Sequence, residues 1–311
     1  MIELCKYNPE YQEQWNALVE SSKNGIFLVH RNYMDYHKDR FIDHSIVLIK
    51  GKKIMAVFPA TENGSQIISH GGLTFGSLIM SFDVKAVEIF EALNQVKYYY
   101  KALGFSEIIY KAVPSIFHKY PSEEDLYALF RLDAKLVRRD ISSVVKIKNK
   151  IRFSESKRQA VTKCEKLEVK IIENNNFDEY WCLLTDVLSK FGTSPVHSLE
   201  EINKLKKLFP TQIRLFEARK DDVLLAGIVI YDYGNVVHTQ YMANSQYGRK
   251  IGALDFINQK LIEDVFNDRE YYSFGISTEN QGMYLNEGLI QQKEMMGSRG
   301  ISIDFYSIAL N

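Results

Sequence analysis

A phenol, an imidazole and a carboxylate stand at the ends of strand-like runs in this 311-residue chain. Tyr284 lies in Met283-Tyr284-Leu285-Asn286-Glu287-Gly288-Leu289, shortly after the run Tyr271-Tyr272-Ser273-Phe274-Gly275-Ile276-Ser277. A phenol, with an ordinary pKa of about 10, can protonate a departing thiolate. The same position suits a half-buried tyrosine that packs a helix onto a sheet. Glu279 and Asn280 sit between the run and Tyr284. A carboxylate there could take a proton from an attacking amine, and the pair could equally cap a helix. His238 lies in the run Val236-Val237-His238-Thr239-Gln240-Tyr241, and strand alternation puts it on one side with Gln240. Its ordinary pKa suits a general base, and a hydrogen-bonded core histidine fits as well.

Further residues offer contacts rather than chemistry. His70 opens the loop Ser69-His70-Gly71-Gly72, where glycines allow close approach of a ligand to the backbone, or simply a turn. Tyr36 belongs to a dense mixture of aromatics and charges over residues 33–41. That mixture reads as a sugar or peptide wall, or as a solvated helix with local ion pairs. His197, after Pro195-Val196, could shape a substrate loop. The stretch Lys135 to Lys163 holds ten cations against two acids, in a chain whose net charge is zero. Such asymmetry suits a phosphate-rich partner, whether tRNA, CoA or a pyrophosphate-linked lipid, and a solvated charged face equally.

These residues need elements to hold them. Alternating apolar runs predict strands over residues 2–7, 41–49, 53–60, 66–69, 107–113, 141–147, 169–172, 213–219, 224–231, 236–243, 271–276 and 301–308. Helical periodicity is expected over 84–103, 178–191 and 253–266, and Ser198-Leu199-Glu200-Glu201 has a helix-capping pattern. Strands mixed with helices in this order argue for α/β, or α+β, with a mixed sheet. The length suits two domains, placed here at 1–150 and 151–311. Leu126-Tyr127-Ala128-Leu129-Phe130-Arg131-Leu132 repeats the frame around Tyr284, with Arg131 where the later copy has Gly288. The repetition suggests a duplication.

Several classes are disfavoured. The neutral balance argues against a surface built wholly to coat nucleic acid. Cys5, Cys164 and Cys182 have no paired spacing, and the seven histidines show no H-x-x-x-H or H-E-x-x-H, so no metal is expected. Neither a Walker A nor a Gly-x-Ser-x-Gly motif occurs. No transmembrane segment is expected, since the longest apolar run, Val223 to Tyr231, is too short to span a bilayer. A cytoplasmic location is expected. The oligomeric state is not legible.

The strand, loop and helix around Ser273–Glu279, Gly282-Met283-Tyr284 and Lys293-Glu294 resemble the last unit of the GNAT acyltransferase fold. Together with Ser156–Ala160 and Glu168–Ile171, they resemble the tandem GNAT proteins related to the Fem peptidyltransferases. The resemblance implies two GNAT-like domains and transfer of an acyl group to an amine, often of a cell-envelope or polysaccharide precursor. It implies an acyl-CoA donor such as acetyl-CoA in GNAT relatives, and aminoacyl-tRNA in Fem enzymes. A non-catalytic binding protein on the same scaffold is a third reading. In the first reading Tyr284 is the acid and His238 or Glu279 the base. N–H groups near Met242 hold the oxyanion, and Asn280 flanks the donor. Arg249 and Gly252 meet the donor phosphate at a helix N-terminus. Leu254 stands where the family's phosphate loop has a small residue. A sugar or peptide acceptor would meet His70, Tyr36 and His197.

Overall fold

The computed structural model describes residues 2–310. The chain forms two compact units. One holds the chain up to Asp140 and takes it back from Ser302, and the other is Ile141–Ile301. The division falls ten residues before the expected boundary, and the closing strand, Arg299–Ala309, returns its far end to the first unit.

The first unit begins with three antiparallel strands, Ile2–Lys6, Ile46–Lys50 and Lys53–Phe58. The strand expected over 41–49 is broken into Ile42–Asp43 and Ile46–Lys50. The break falls at Ser45, whose hydroxyl and amide both turn to Asp43. Gln66–Ile68 runs parallel to Glu107–Lys111, and the helix Ala86–Ala102 makes the crossover. That helix buries Ile89, Ala92, Leu93, Val96 and Tyr100, the i, i+3, i+4 stripe that its periodicity requires. Phe305–Ala309 then pairs antiparallel with Glu107–Lys111. Ile46, Leu48, Phe58, Ile67, Ile108, Tyr110 and Ile308 lie in the core of this unit.

The second unit repeats the plan. Lys170–Asn174, Ile213–Lys220, Val223–Asp232 and Val236–Asn244 form an antiparallel meander. Val236–Asn244 then runs parallel to Tyr271–Ile276, with the helix Ala253–Lys260 in the crossover. Tyr271–Ile276 pairs in turn with residues 142–146. Ile228, Ile230, Val237, Phe256, Ile257 and Tyr272 lie in its core, on the face covered by Ala253–Lys260. Asp178–Ser189 packs on Val236–Asn244 from the other face, with Tyr180 seated where Gly227 has no side chain. The element plan is therefore duplicated, but the two tyrosine frames do not coincide. Tyr127 is inside the helix Glu124–Arg131, three residues after its start, whereas Tyr284 precedes the helix Glu287–Glu294 by three.

Candidate active site

The parallel pair in the second unit has only three register pairs, ending at His238 and Ser273. Beyond that point Val236–Asn244 follows its antiparallel neighbour instead, and its register slips by one. Val229 faces Tyr241 and Ile230 faces Thr239, which leaves Gln240 as the extra residue of a bulge. A bulge reverses the faces beyond it. His238 and Tyr241 therefore share one face, opposite the core, whereas simple alternation had joined His238 with Gln240. Met242 pairs with Ile228 on the core face, where Asn258 Nδ2 lies 3.9 Å from its sulfur. The break in the ladder is thus at Gln240, two residues before the position expected for the oxyanion donors.

His238 is packed at the end of the paired segment. Its Nδ1 lies 3.1 Å from Ser273 Oγ. Gly275, at φ +73°, passes beside the imidazole, and a Cβ there would come within 3.2 Å of Cε1. Above it lies Lys293, which the helix Glu287–Glu294 turns inward, leaving only 4% of the residue exposed. The ammonium donates to the carbonyls of Gly275 at 3.0 Å and Ile276 at 2.6 Å. Three donors on Nζ leave one N–H beyond those two bonds. Burial lowers the Lys293 ammonium to about 8. Burial first, and then the Lys293 charge, lower His238 to about 4. At neutral pH the pair is therefore one ammonium and one neutral imidazole, the arrangement in which neither repels the other.

Tyr241 completes this face. The backbone N–H of His197 donates to its hydroxyl at 3.3 Å, so the hydroxyl proton is left for His197 Nδ1 at 2.7 Å. The Trp181 ring stands edge-on to it at 5.4 Å. Burial raises the phenol above its ordinary range. His197 is therefore anchored beside the site through Tyr241.

The hairpin that carries the opening tyrosine lies outside this packing. Thr278–Glu279 pairs with Tyr284–Leu285, with Glu279 opposite Tyr284. Tyr284 is 53% exposed and Met283 89%. The turn runs through Asn280, Gln281 and Gly282, all at positive φ. Glu279 accepts from Asn286 Nδ2 at 2.8 Å, and Asn286 itself caps the following helix through Leu289 N. Glu279 thus steadies the capping residue.

Arg249 and Gly252 lie where a donor phosphate was expected. Arg249 is exposed on the short helix Gln246–Ile251. Gly252, at φ +81°, separates that helix from Ala253–Lys260, but the approach is filled. A Cβ on Gly252 would fall 2.4 Å from that of Ala160. Asp255 in the first turn holds Lys157 at 2.7 Å, and Lys163 donates to the Lys250 carbonyl at 3.1 Å. The helix Glu155–Lys166 thus covers this N-terminus, and a carboxylate stands where the helix dipole would welcome an anion.

His70 and Tyr36 belong to the first unit. The His37 ring lies 5.4 Å from that of His70 and 4.1 Å from that of Tyr36. Tyr127 is exposed there and accepts from Arg131 at 3.2 Å. Lys293 and Tyr241 were missing from the sequence-derived set, although both lie inside motifs already singled out. Among the described residues no three histidine, cysteine or acidic side chains converge on a metal position, and no helix is long and apolar enough to cross a membrane.

Two units of this plan, each with a parallel pair that parts at its end, identify the architecture. The fold is the tandem GNAT fold of the Fem-type proteins. FemX is similar at a TM-score of 0.70 and 11% identity, over 99% of this chain and 98% of its own. L-PGS from Bacillus licheniformis is similar at 0.63 and 13%, over 98% and 93%. A tandem GNAT protein from the clavulanic acid biosynthesis pathway is similar at 0.53 and 9%, over 100% and 99%. No family model and no curated protein matches the sequence.

Proposed function

We propose that the chain is a transferase that moves an aminoacyl group from an ester donor, of the aminoacyl-tRNA kind, to an amine. The observation that carries this reading is the buried Lys293 ammonium beside neutral His238. Aminolysis of an ester forms a C–N bond and breaks a C–O bond. The amine gives up a proton, and the departing alkoxide must receive one. An alkoxide is far more basic than a thiolate, so an ester donor depends more on an acid or oxyanion partner. Lys293 would supply both roles, with one N–H left beyond its two carbonyl bonds and a pKa of about 8 close to working pH. Neutral His238 accepts a hydrogen bond from the incoming amine, whose proton ends on the Lys293 amine once the ammonium has given its own to the alkoxide, so the balance closes. Tyr241 and His197 position the donor.

The acyl-CoA reading is the second one, and the tandem GNAT relative keeps it in view. The covered N-terminus at Gly252 counts against it, because the pyrophosphate loses its usual cradle. The Lys135–Lys163 stretch enters differently from its charge count. Five of its cations are matched by Asp133, Asp140, Asp304, Asp255 and Glu155. Lys146, Lys148, Lys150 and Arg152 are exposed and make no ion pair among the described residues. A groove of about 510 Å³ on the helix Glu155–Lys166 adds Lys163 and Lys166. These cations suit the phosphates of an RNA donor.

The test is a binding comparison between a pool of charged tRNA and acetyl-CoA. Salt-dependent binding of the RNA, with no calorimetric response to millimolar acetyl-CoA, supports the ester donor. The opposite pattern overturns it in favour of acyl-CoA. If neither binds, the transferase reading fails.

A further inference from the structure

The first unit holds a buried group that the proposed reaction does not use. His70 is 4% exposed and adopts φ +58°, the left-handed region that few residues with a Cβ occupy. Its Nδ1 is out of solvent reach and has no hydrogen-bond partner. The rings of His37 and Phe41 stand 5.4 and 5.5 Å from its own. The charged groups that face it are the His37 imidazole when protonated, the Lys111 amine, which burial lowers to about 7 so that it is an ammonium only on the acid side of neutrality, and the Arg31 guanidinium. The nearby acids are already engaged, since Asp35 and Asp43 bind Arg31 at 2.6 and 2.7 Å. A neutral ring can leave Nδ1 as a bare lone pair. An imidazolium must place a proton there, with no acceptor and three cationic neighbours.

His70 also sits at the base of a stitched loop. Ser69 N donates to Ile109 O at 2.8 Å, and Lys111 N donates to Ser69 Oγ at 2.7 Å. Gly71 N donates to Thr61 Oγ1 at 2.9 Å, and Gly76 N donates to Lys111 O at 3.0 Å. Lys111 Nζ donates to Leu73 O. The fit is close: a Cβ on Gly72 would fall 2.4 Å from His37 Nε2, and one on Gly76 2.0 Å from Ser69 O. This loop occupies the place where the strands Gln66–Ile68 and Glu107–Lys111 end their parallel pairing. In the second unit the end of the parallel pairing holds His238, with Lys293 packed above it.

We propose that the Ser69–Gly76 loop is an acid-labile clasp, released from the Glu107–Lys111 strand when His70 is protonated. The ring cannot accept a proton and stay in its place, so the proton and the stitched loop compete. Burial and the three cations hold His70 well below the ordinary histidine range, so release belongs to the acid side of neutrality. It does not depend on which donor the second unit uses.

Amide hydrogen exchange of the full chain tests the clasp. After correction for intrinsic rates, protection at Gly71 and Gly76 should fall about tenfold between about pH 7.5 and about pH 5, while Ile108 and Ile109 keep theirs. In His70→Asn, a residue that tolerates positive φ and does not titrate, the loss should disappear. Unchanged wild-type protection, or an equal loss in the variant, overturns the proposal. Should the variant not fold, the wild-type ring titration decides. A His70 midpoint below the ordinary value of about 6.5 supports the clasp, and one at or above it refutes it.

Discussion

Lys293 shows what a sequence can and cannot disclose about one residue. Its place in the final helix was legible, but its burial was not, because it arises from Gly275 and Ile276 turning their carbonyls toward it. His238 was legible as a strand residue, while its face was not. The bulge at Gln240 exists only in register with the neighbouring strand. Tyr284 drew attention by its frame and lies exposed on a hairpin. These placements give opposed expectations. Lys293→Met should lower the transfer rate about a hundredfold or more, the scale of losing an oxyanion donor. Tyr284→Phe should change it by less than about threefold. The pH profile gives the sign. The ammonium is present below about 8 and lost above it, so the wild-type rate should fall as pH rises through about 8. Lys293→Arg should move that limb to higher pH, whatever activity it keeps. Steady-state rates from pH 6 to pH 10 measure both, and an alkaline limb unmoved in the arginine variant excludes Lys293 as the titrating acid.

At the scale of elements, periodicity placed most strands and helices, including the crossover helices Ala86–Ala102 and Ala253–Lys260. It did not place what covers them. The motif Arg249-x-x-Gly252 reads as a phosphate loop because it precedes a helix. Whether that helix end is open depends on Ala160, ninety-two positions earlier in the chain. The closed junction makes its own prediction. Gly252→Ala must hold a side chain at φ +81° and press its Cβ on Ala160. Loss of about 2 kcal/mol of stability is expected, measured as a lower urea midpoint at unchanged slope. A neutral result would mean that the two helices part easily, and would return the acyl-CoA reading to first place.

For the whole molecule the lesson concerns charge. Counting along the chain gave a strongly basic stretch, yet the fold brings acids to it from afar: Asp255 to Lys157, and Asp304 to Arg139 by a bidentate pair. A local count cannot see such partners, because they arrive only when strands and helices pack. What survives is a smaller set, Lys146, Lys148, Lys150 and Arg152, all within the second unit and all exposed. If these cations meet the phosphates of an RNA donor, replacing all four by alanine should weaken binding of charged tRNA. It should also flatten the dependence of log K on log salt by about three, since each released counterion contributes about 0.7 to 0.9. Exposed side chains of this kind carry little stability, so the thermal midpoint should move by no more than about a degree or two. Arg139→Ala, which removes a cation already matched by Asp304, should leave the salt slope unchanged. Equal slopes for the quadruple variant and the wild type would place the RNA elsewhere on the protein.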